Sequence, residues 1–209
     1  MYYTIFFTTF VTTSLGCAFF DFFKPELRKS TKKNENVLAD YKKMIPVVFN
    51  NLLISLPVFM FFEYYLFNLP NIKNRVFHYH WSVYILLWIL LSDFFFYWTH
   101  RMLHTPKLYY LHKTHHEFNN PYGVGAIYCS GFEMVTANLF ALLFPIYILE
   151  IPENVIENMI LGMTFWTVYM SHSNLQDVNN SHVIHHRKLK CNYGLFIMDR
   201  IMGTKEKKM

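Results

Sequence analysis

The chain has 209 residues, of which 53% are hydrophobic, 20% aromatic and only 16% charged. That balance is too apolar for an ordinary soluble domain of this length. The formal charge of +5 requires no nucleic-acid partner, because the basic residues gather in one loop and in the tail, where anionic head groups are the ordinary partner. Three cysteines, Cys17, Cys129 and Cys191, form no C-x-x-C pair and read as reduced, incidental thiols.

In chain order, residues Met1 to Phe20 carry no charge, and neither do Met44 to Phe62. Each run is close to the ~20 residues needed to cross a hydrocarbon core. The first lacks a basic n-region and runs on into acidic and aromatic residues, so it is read as a span and not as a cleavable signal peptide. Between the two runs lie Lys24, Arg28, Lys29, Lys32, Lys33, Lys42 and Lys43, whereas the next loop holds only Lys73 and Arg75. The positive-inside rule therefore assigns residues 21–43 to the cytosol and the N-terminus to the outside. His78 and His80 then fall on the non-cytosolic side as interfacial residues.

A third run, Trp81 to Trp98, is interrupted only by Asp93. It leads into His100 and His104 (H-x3-H), followed by His112, His115 and His116 (H-x2-H-H). Thr105-Pro106 reads as an N-cap with proline at the first helical position, predicting a helix from Pro106 to about Phe118 that ends in the Asn119-Asn120-Pro121 turn. Two shorter apolar runs, Met134 to Leu149 and Val155 to Met170, are separated by Pro152 and predict a membrane hairpin. A second H-x2-H-H, formed by His182, His185 and His186, follows. With three crossings and a returning hairpin, all three boxes share the cytosolic face. The prediction is an all-α integral membrane protein with about three transmembrane helices, a shorter membrane hairpin and a cytosolic helical cap carrying a histidine-rich dimetal site. Residues 1–80 form the N-terminal helices and loop, and 81–209 the catalytic region.

Positions three and four apart share a helical face, so each box is expected to present its imidazoles to one point. Two H-x2-H-H boxes with an H-x3-H should arise by chance in well under about one chain in a thousand when matches are counted. Bound metal is the natural explanation, since neutral imidazole is the commonest metal ligand among side chains. A structural zinc takes four ligands and a catalytic one takes three plus water, so eight or nine histidines exceed the needs of one ion, and two ions match the count. Imidazole alone suits zinc, copper, iron or nickel, and spacing does not select the element. Asp93 lies seven residues before His100, on the same helical face. It is either a carboxylate accepting the spare N–H of a ligating histidine or a membrane acid satisfied by a neighbouring tyrosine or histidine.

The stretch from Ser92 to Thr204 resembles the fatty acid hydroxylase/sterol desaturase superfamily of membrane di-iron oxygenases. The resemblance rests on HRMLH at His100 to His104, HKTHH at His112 to His116 and HVIHH at His182 to His186. The segment HHEFNNPYGVGAIYCSGFE, from His115 to Glu133, and YMSHSNLQ, from Tyr169 to Gln176, are similar to the C-4 methylsterol oxidase branch. NYGLFIMDRIMGT, from Asn192 to Thr204, resembles the shared C-terminal signature. The resemblance implies that His172 joins the eight box histidines as a ligand. Some relatives carry a further histidine where this chain has Gln176, which leaves open whether the second metal site is altered. Asp93, Gln176 and Asn192 are the candidates for bracing the ligands.

The resemblance further implies two iron ions, O2 as co-substrate, a sterol or fatty acyl lipid as substrate, and electrons from cytochrome b5 or its reductase. The chain has no G-x-G-x-x-G of its own, in keeping with an external donor. A lysine-bearing tail, Lys205 to Met209, resembles a dilysine retrieval signal and implies the endoplasmic reticulum membrane. Oxidation of a sterol C-4 methyl group is the expected activity. Sterol desaturation, sterol side-chain hydroxylation and fatty acid hydroxylation stand as alternatives. A non-enzymatic metal-binding or metal-transporting protein is the distant rival, disfavoured because the spans hold almost nothing ionisable along a transport path.

Overall fold

The computed structural model describes residues 1–28, 36–68, 80–173, 175 and 181–206. Lys29, Lys32, Lys33, Lys73, Arg75, His78, Gln176, Lys207 and Lys208 lie outside the described residues. Among those described, all regular structure is helical and there is no strand. Four runs are long and apolar enough to cross a membrane: Tyr2–Phe23, Val37–Leu66, Trp81–Leu103 and Gly131–Ile148. This is a multi-pass membrane protein.

Helix α1 (Tyr2–Phe23) has 22 residues, and at 1.5 Å per residue it reaches about 33 Å, enough to cross the ~30 Å hydrocarbon core. Helix α2 (Val37–Phe67) begins where the Asn36 side chain accepts from Ala39 N, and it continues through Pro46 and Pro57. Prolines are tolerated in such helices where neighbours satisfy the freed backbone groups. The N-terminal amine pairs with Glu63 near the far end of α2. At the opposite end Asp21 is paired with Arg28 and accepts from Tyr41 Oη. The two helices therefore run antiparallel, with residues 21–43 at one end.

Helix α3 (Trp81–Leu103) starts at His80, whose ring caps Ser82 N, and it carries His100 in its last turn. The predicted helix over 106–118 is broken. Thr105 does not cap it, because its hydroxyl donates back to Met102 O. Only α4 (Tyr109–His112) is α-helical, and a separate 3-10 turn holds His115–Glu117. The hairpin is longer than its apolar runs indicate. Its first arm starts at α5 (Gly131–Glu133), where Ser130 Oγ accepts from Glu133 N, widens into a π-helical stretch (Met134–Leu139), and ends as α6 (Phe140–Ile148). The second arm is α7 (Glu153–Phe165), which also ends in a π-helical stretch, Trp166–Ser171. Two short helices follow, α8 (Ser181–Lys188) and α9 (Met198–Ile201).

One apolar core joins these elements across position 80: Tyr2, Phe6 and Phe10 of α1 pack with Phe59 of α2 and with Ile156 and Ile160 of α7. Asn51, buried in the middle of α2, donates to Ile127 O and Cys129 O, both at 2.8 Å. Those bonds tie the 123–129 loop to the bundle directly behind the second histidine box. The histidines of the three boxes lie at the end of the bundle occupied by residues 21–43, as Lys43–Glu117 and Tyr122–Asp40 contacts attest, while His80 lies at the other end of α3.

Candidate metal centre

Nine histidines converge in two groups. His100, His104, His112, His116 and His185 form one, and His115, His172, His182 and His186 the other, with donor atoms in each group within 4.8 Å of one another. Each H-x2-H-H box is therefore divided between the groups and does not converge on one point. In the second box the break after His112 turns His115 away from His112 and His116. In the third, His185 and His186 are adjacent on α8 and so point about 100° apart, which sends them to different groups.

All but the half-buried His104 are buried. Burial holds the imidazoles outside the spans in the neutral form. It pushes His104 and His112 down to about 2 and His172 and His185 down to about 4, with neighbouring imidazoles adding to the effect for the first two. Burial also lowers His115, His116, His182 and His186 well below the ordinary imidazole value. Neutral imidazole is the ligating form.

Hydrogen bonds on the other ring nitrogen fix which one carries the lone pair. His100 Nδ1 donates to Tyr193 O and His185 Nδ1 to Cys191 O, both at 2.7 Å, while His112 Nδ1 lies 2.8 Å from Glu133 Oε1. The Nε2 atoms of His100 and His185 are thus unprotonated. Yet His100 Nε2 and His112 Nε2 are only 3.0 Å apart, as are His104 Nε2 and His185 Nε2. In the other group, His172 Nδ1 donates to Thr167 O and His186 Nδ1 to Phe118 O, and both Nε2 atoms face His182 Nε2 at 3.0 and 3.2 Å. Converging lone pairs at these distances repel unless a cation sits among them. Separations near 3 Å are also what neighbouring nitrogen donors about 2.0–2.1 Å from a shared ion would have. The donor set therefore matches two nitrogen-ligated metal ions.

Asp93 braces the site by a different route from the one expected. It is fully buried and accepts four backbone N–H groups, from Leu195, Phe196, Ile197 and Met198, at 2.6–3.1 Å. No histidine N–H is among them. Asp199 takes the N–H groups of Tyr193 and Gly194. The two carboxylates together hold the 193–198 segment so that Tyr193 O meets His100. Asn192, at φ 57°, donates to Ser181 O and accepts from Glu206 N, tying the start of α8 to the C-terminal segment.

Glu133 was not legible as a site residue. It is the carboxylate that faces a histidine N–H, and its signal was an acid at the mouth of an apolar run. A cavity of about 80 Å³ lies beside both groups, lined by His100, His115, His172, His182, Glu133 and Phe96 among other residues.

The fold and the site define a membrane-spanning protein with nine histidines gathered at one end of its bundle in two groups, each able to hold a metal ion. The profile of the fatty acid hydroxylase family matches residues 85–204, and the chain belongs to that family. It is 31% identical over 111 residues to an Oryza sativa subsp. indica protein named very-long-chain aldehyde decarbonylase, covering 51% of this chain and 41% of that one. It is 32% identical over 147 residues to a Neurospora crassa protein named as a Delta(7)-sterol 5(6)-desaturase (59% and 41%). A Dictyostelium discoideum protein named as a methylsterol monooxygenase is 30% identical over 136 residues (61% and 48%). The chain thus spans less than half the length of these relatives. No solved structure matches it.

Proposed function

We propose that this chain is an O2-dependent lipid oxidoreductase that oxidises a sterol C-4 methyl group, with His100, His104, His112, His115, His116, His172, His182, His185 and His186 holding two iron ions. The observation that carries this reading is the apolar cavity bordered by both imidazole groups, built from spans that face a bilayer. The division into five and four neutral imidazoles supports two ions. Bound iron would supply the oxidising power, drawn from O2, for attack on an unactivated C–H bond.

The chain's own residues orient and exclude. Tyr193 O, Cys191 O, Thr167 O and Phe118 O hold four histidine rings in one tautomer, and Glu133 lies beside a fifth, so the donors are set before substrate arrives. Phe96, Met134 and Leu142 line the cavity and keep water from the reacting carbon. His104, the most exposed of the nine, marks the face where electrons would arrive from cytochrome b5 or its reductase. The endoplasmic reticulum membrane, with this face toward the cytosol, is the proposed setting.

The test is lipid mass spectrometry on microsomes from yeast lacking its own C-4 methylsterol oxidase, with the intact chain and with His115→Ala and His185→Ala variants. A fall in 4,4-dimethylsterols with the intact chain only is the expected result. Unchanged sterols alongside a new hydroxylated or desaturated lipid would replace the sterol C-4 reading with another activity of the same chemistry.

A further inference from the structure

The cavity at the histidines is too small for a whole lipid. Sites that engulf a drug-sized ligand run to ~300–1,000 Å³, and this one measures about 80 Å³. A second hollow lies on the opposite side of the same hairpin arm. It is a groove of about 660 Å³ between α2 and the 131–148 run, walled by Phe61, Phe62, Tyr65, Phe140, Phe144 and Tyr147. No charged side chain among the described residues lines it, and both of its walls belong to membrane-length helices. Leu139 lines the groove and the cavity alike. It is buried and ends the π-helical stretch Met134–Leu139, a kind of helix irregularity that concentrates at functional sites.

We infer that the groove is the lateral berth of the substrate's fused-ring body, and that Leu139 is the partition past which only the reacting edge of the sterol reaches the metal centre. This rests on the sterol reading above and names where that sterol lies. The walls favour a rigid occupant. Phe140 and Phe144 stack with centroids 4.7 Å apart and planes within 21°, and on the other wall Phe61 and Tyr65 approach to 4.3 Å with planes tilted by 44°. The Phe140–Phe144 stack presents one flat face. A planar ring system meets it with little loss of internal freedom, whereas a flexible acyl chain must give up its rotors. The small inner volume then makes Leu139 a specificity-determining residue, since its bulk sets how far the substrate advances.

The experiment is photo-crosslinking in membranes holding the full chain, with a diazirine-bearing 4-methylsterol and a diazirine-bearing fatty acid as separate probes. Labelled peptides are mapped by mass spectrometry. The sterol probe should label the groove at Phe61 and Tyr147 and the cavity at Met163. Leu139→Trp should cut labelling at Met163 about tenfold, as expected for an overfilled passage, with groove labelling retained. Leu139→Ala should raise labelling at Met163, which keeps the test open if the tryptophan variant does not fold. Unchanged Met163 labelling in either folded variant overturns the partition. Labelling by the fatty acid probe alone overturns the sterol berth. Crosslinking needs no turnover, so a chain that binds the sterol probe as described yet leaves yeast sterols unaltered would fail only the proposed activity.

Discussion

Glu133 and His112 face each other with carboxylate oxygen Oε1 2.8 Å from ring nitrogen Nδ1, both side chains almost wholly buried. Glu133 thus flanks the Nδ1 side of the ring, and Nε2 points at His100 and His104. Replacing Glu133 by Gln keeps the shape and puts an amide in place of the carboxyl group. We expect metal affinity to fall about 10- to 100-fold, the usual consequence of losing such a bracing group. Competition against a chelator of known affinity measures it, and wild-type affinity would remove Glu133 from the site.

His115 and His116 are neighbours in sequence and belong to different groups. His115→Ala should therefore deplete the four-histidine group and His116→Ala the five-histidine group. Metal analysis of each purified variant should find about one ion per chain fewer than wild type, with different spectroscopic signatures for the ion that remains. Identical spectra from the two variants would contradict the division.

Gly194 passes so close to Asp93 that an added Cβ would lie 2.7 Å from its Oδ1 and 3.1 Å from Asp199 Oδ2. Gly194→Ala should destabilise the protein by about 1–3 kcal/mol, as overpacking does. Gly162→Ala, in α7 with nothing within 4 Å, should instead be neutral or stabilising by up to about 1 kcal/mol. Melting curves in one detergent compare them, and equal melting temperatures would show that the contact carries no constraint.

Acid should destabilise the chelated protein. His104 and His112 are held to about 2, and His172 and His185 to about 4, in the folded chain, against about 6.5 when unfolded. Below about pH 6.5 the unfolded chain binds the extra protons, so stability falls as pH drops from there toward the folded values. Above that pH these groups contribute no slope. Melting of chelator-treated protein between pH 8 and 5 tests it. A melting temperature that is flat or rises on acidification contradicts the neutral cluster.

The spans were legible because apolar length alone carries them, and the boxes because histidine spacing is rare. The division of each box was not, because it depends on the break after His112 and on how α8 is rolled toward the site. Bracing carbonyls such as Tyr193 O and Cys191 O belong to the backbone and leave no trace in residue identity. Asp93 is buried, but neither a histidine nor a tyrosine is its partner here. Its partners are four main-chain N–H groups about 100 residues on, and no local pattern announces a pairing that distant. Glu133 escaped because the apolar run was taken to begin one residue later, at Met134, while the Ser130 cap starts the helix earlier and carries the acid inside.

The crossing of each H-x2-H-H box between the two groups has a consequence for inheritance. No contiguous segment of the chain owns either centre: excising or exchanging the 112–116 or the 182–186 stretch takes donors from both. Only the 100–104 stretch and the segment at His172 draw on a single group, so lineages descending from such a chain can impair one group alone by changes there or at single histidines, whereas exchange of either H-x2-H-H stretch strikes both.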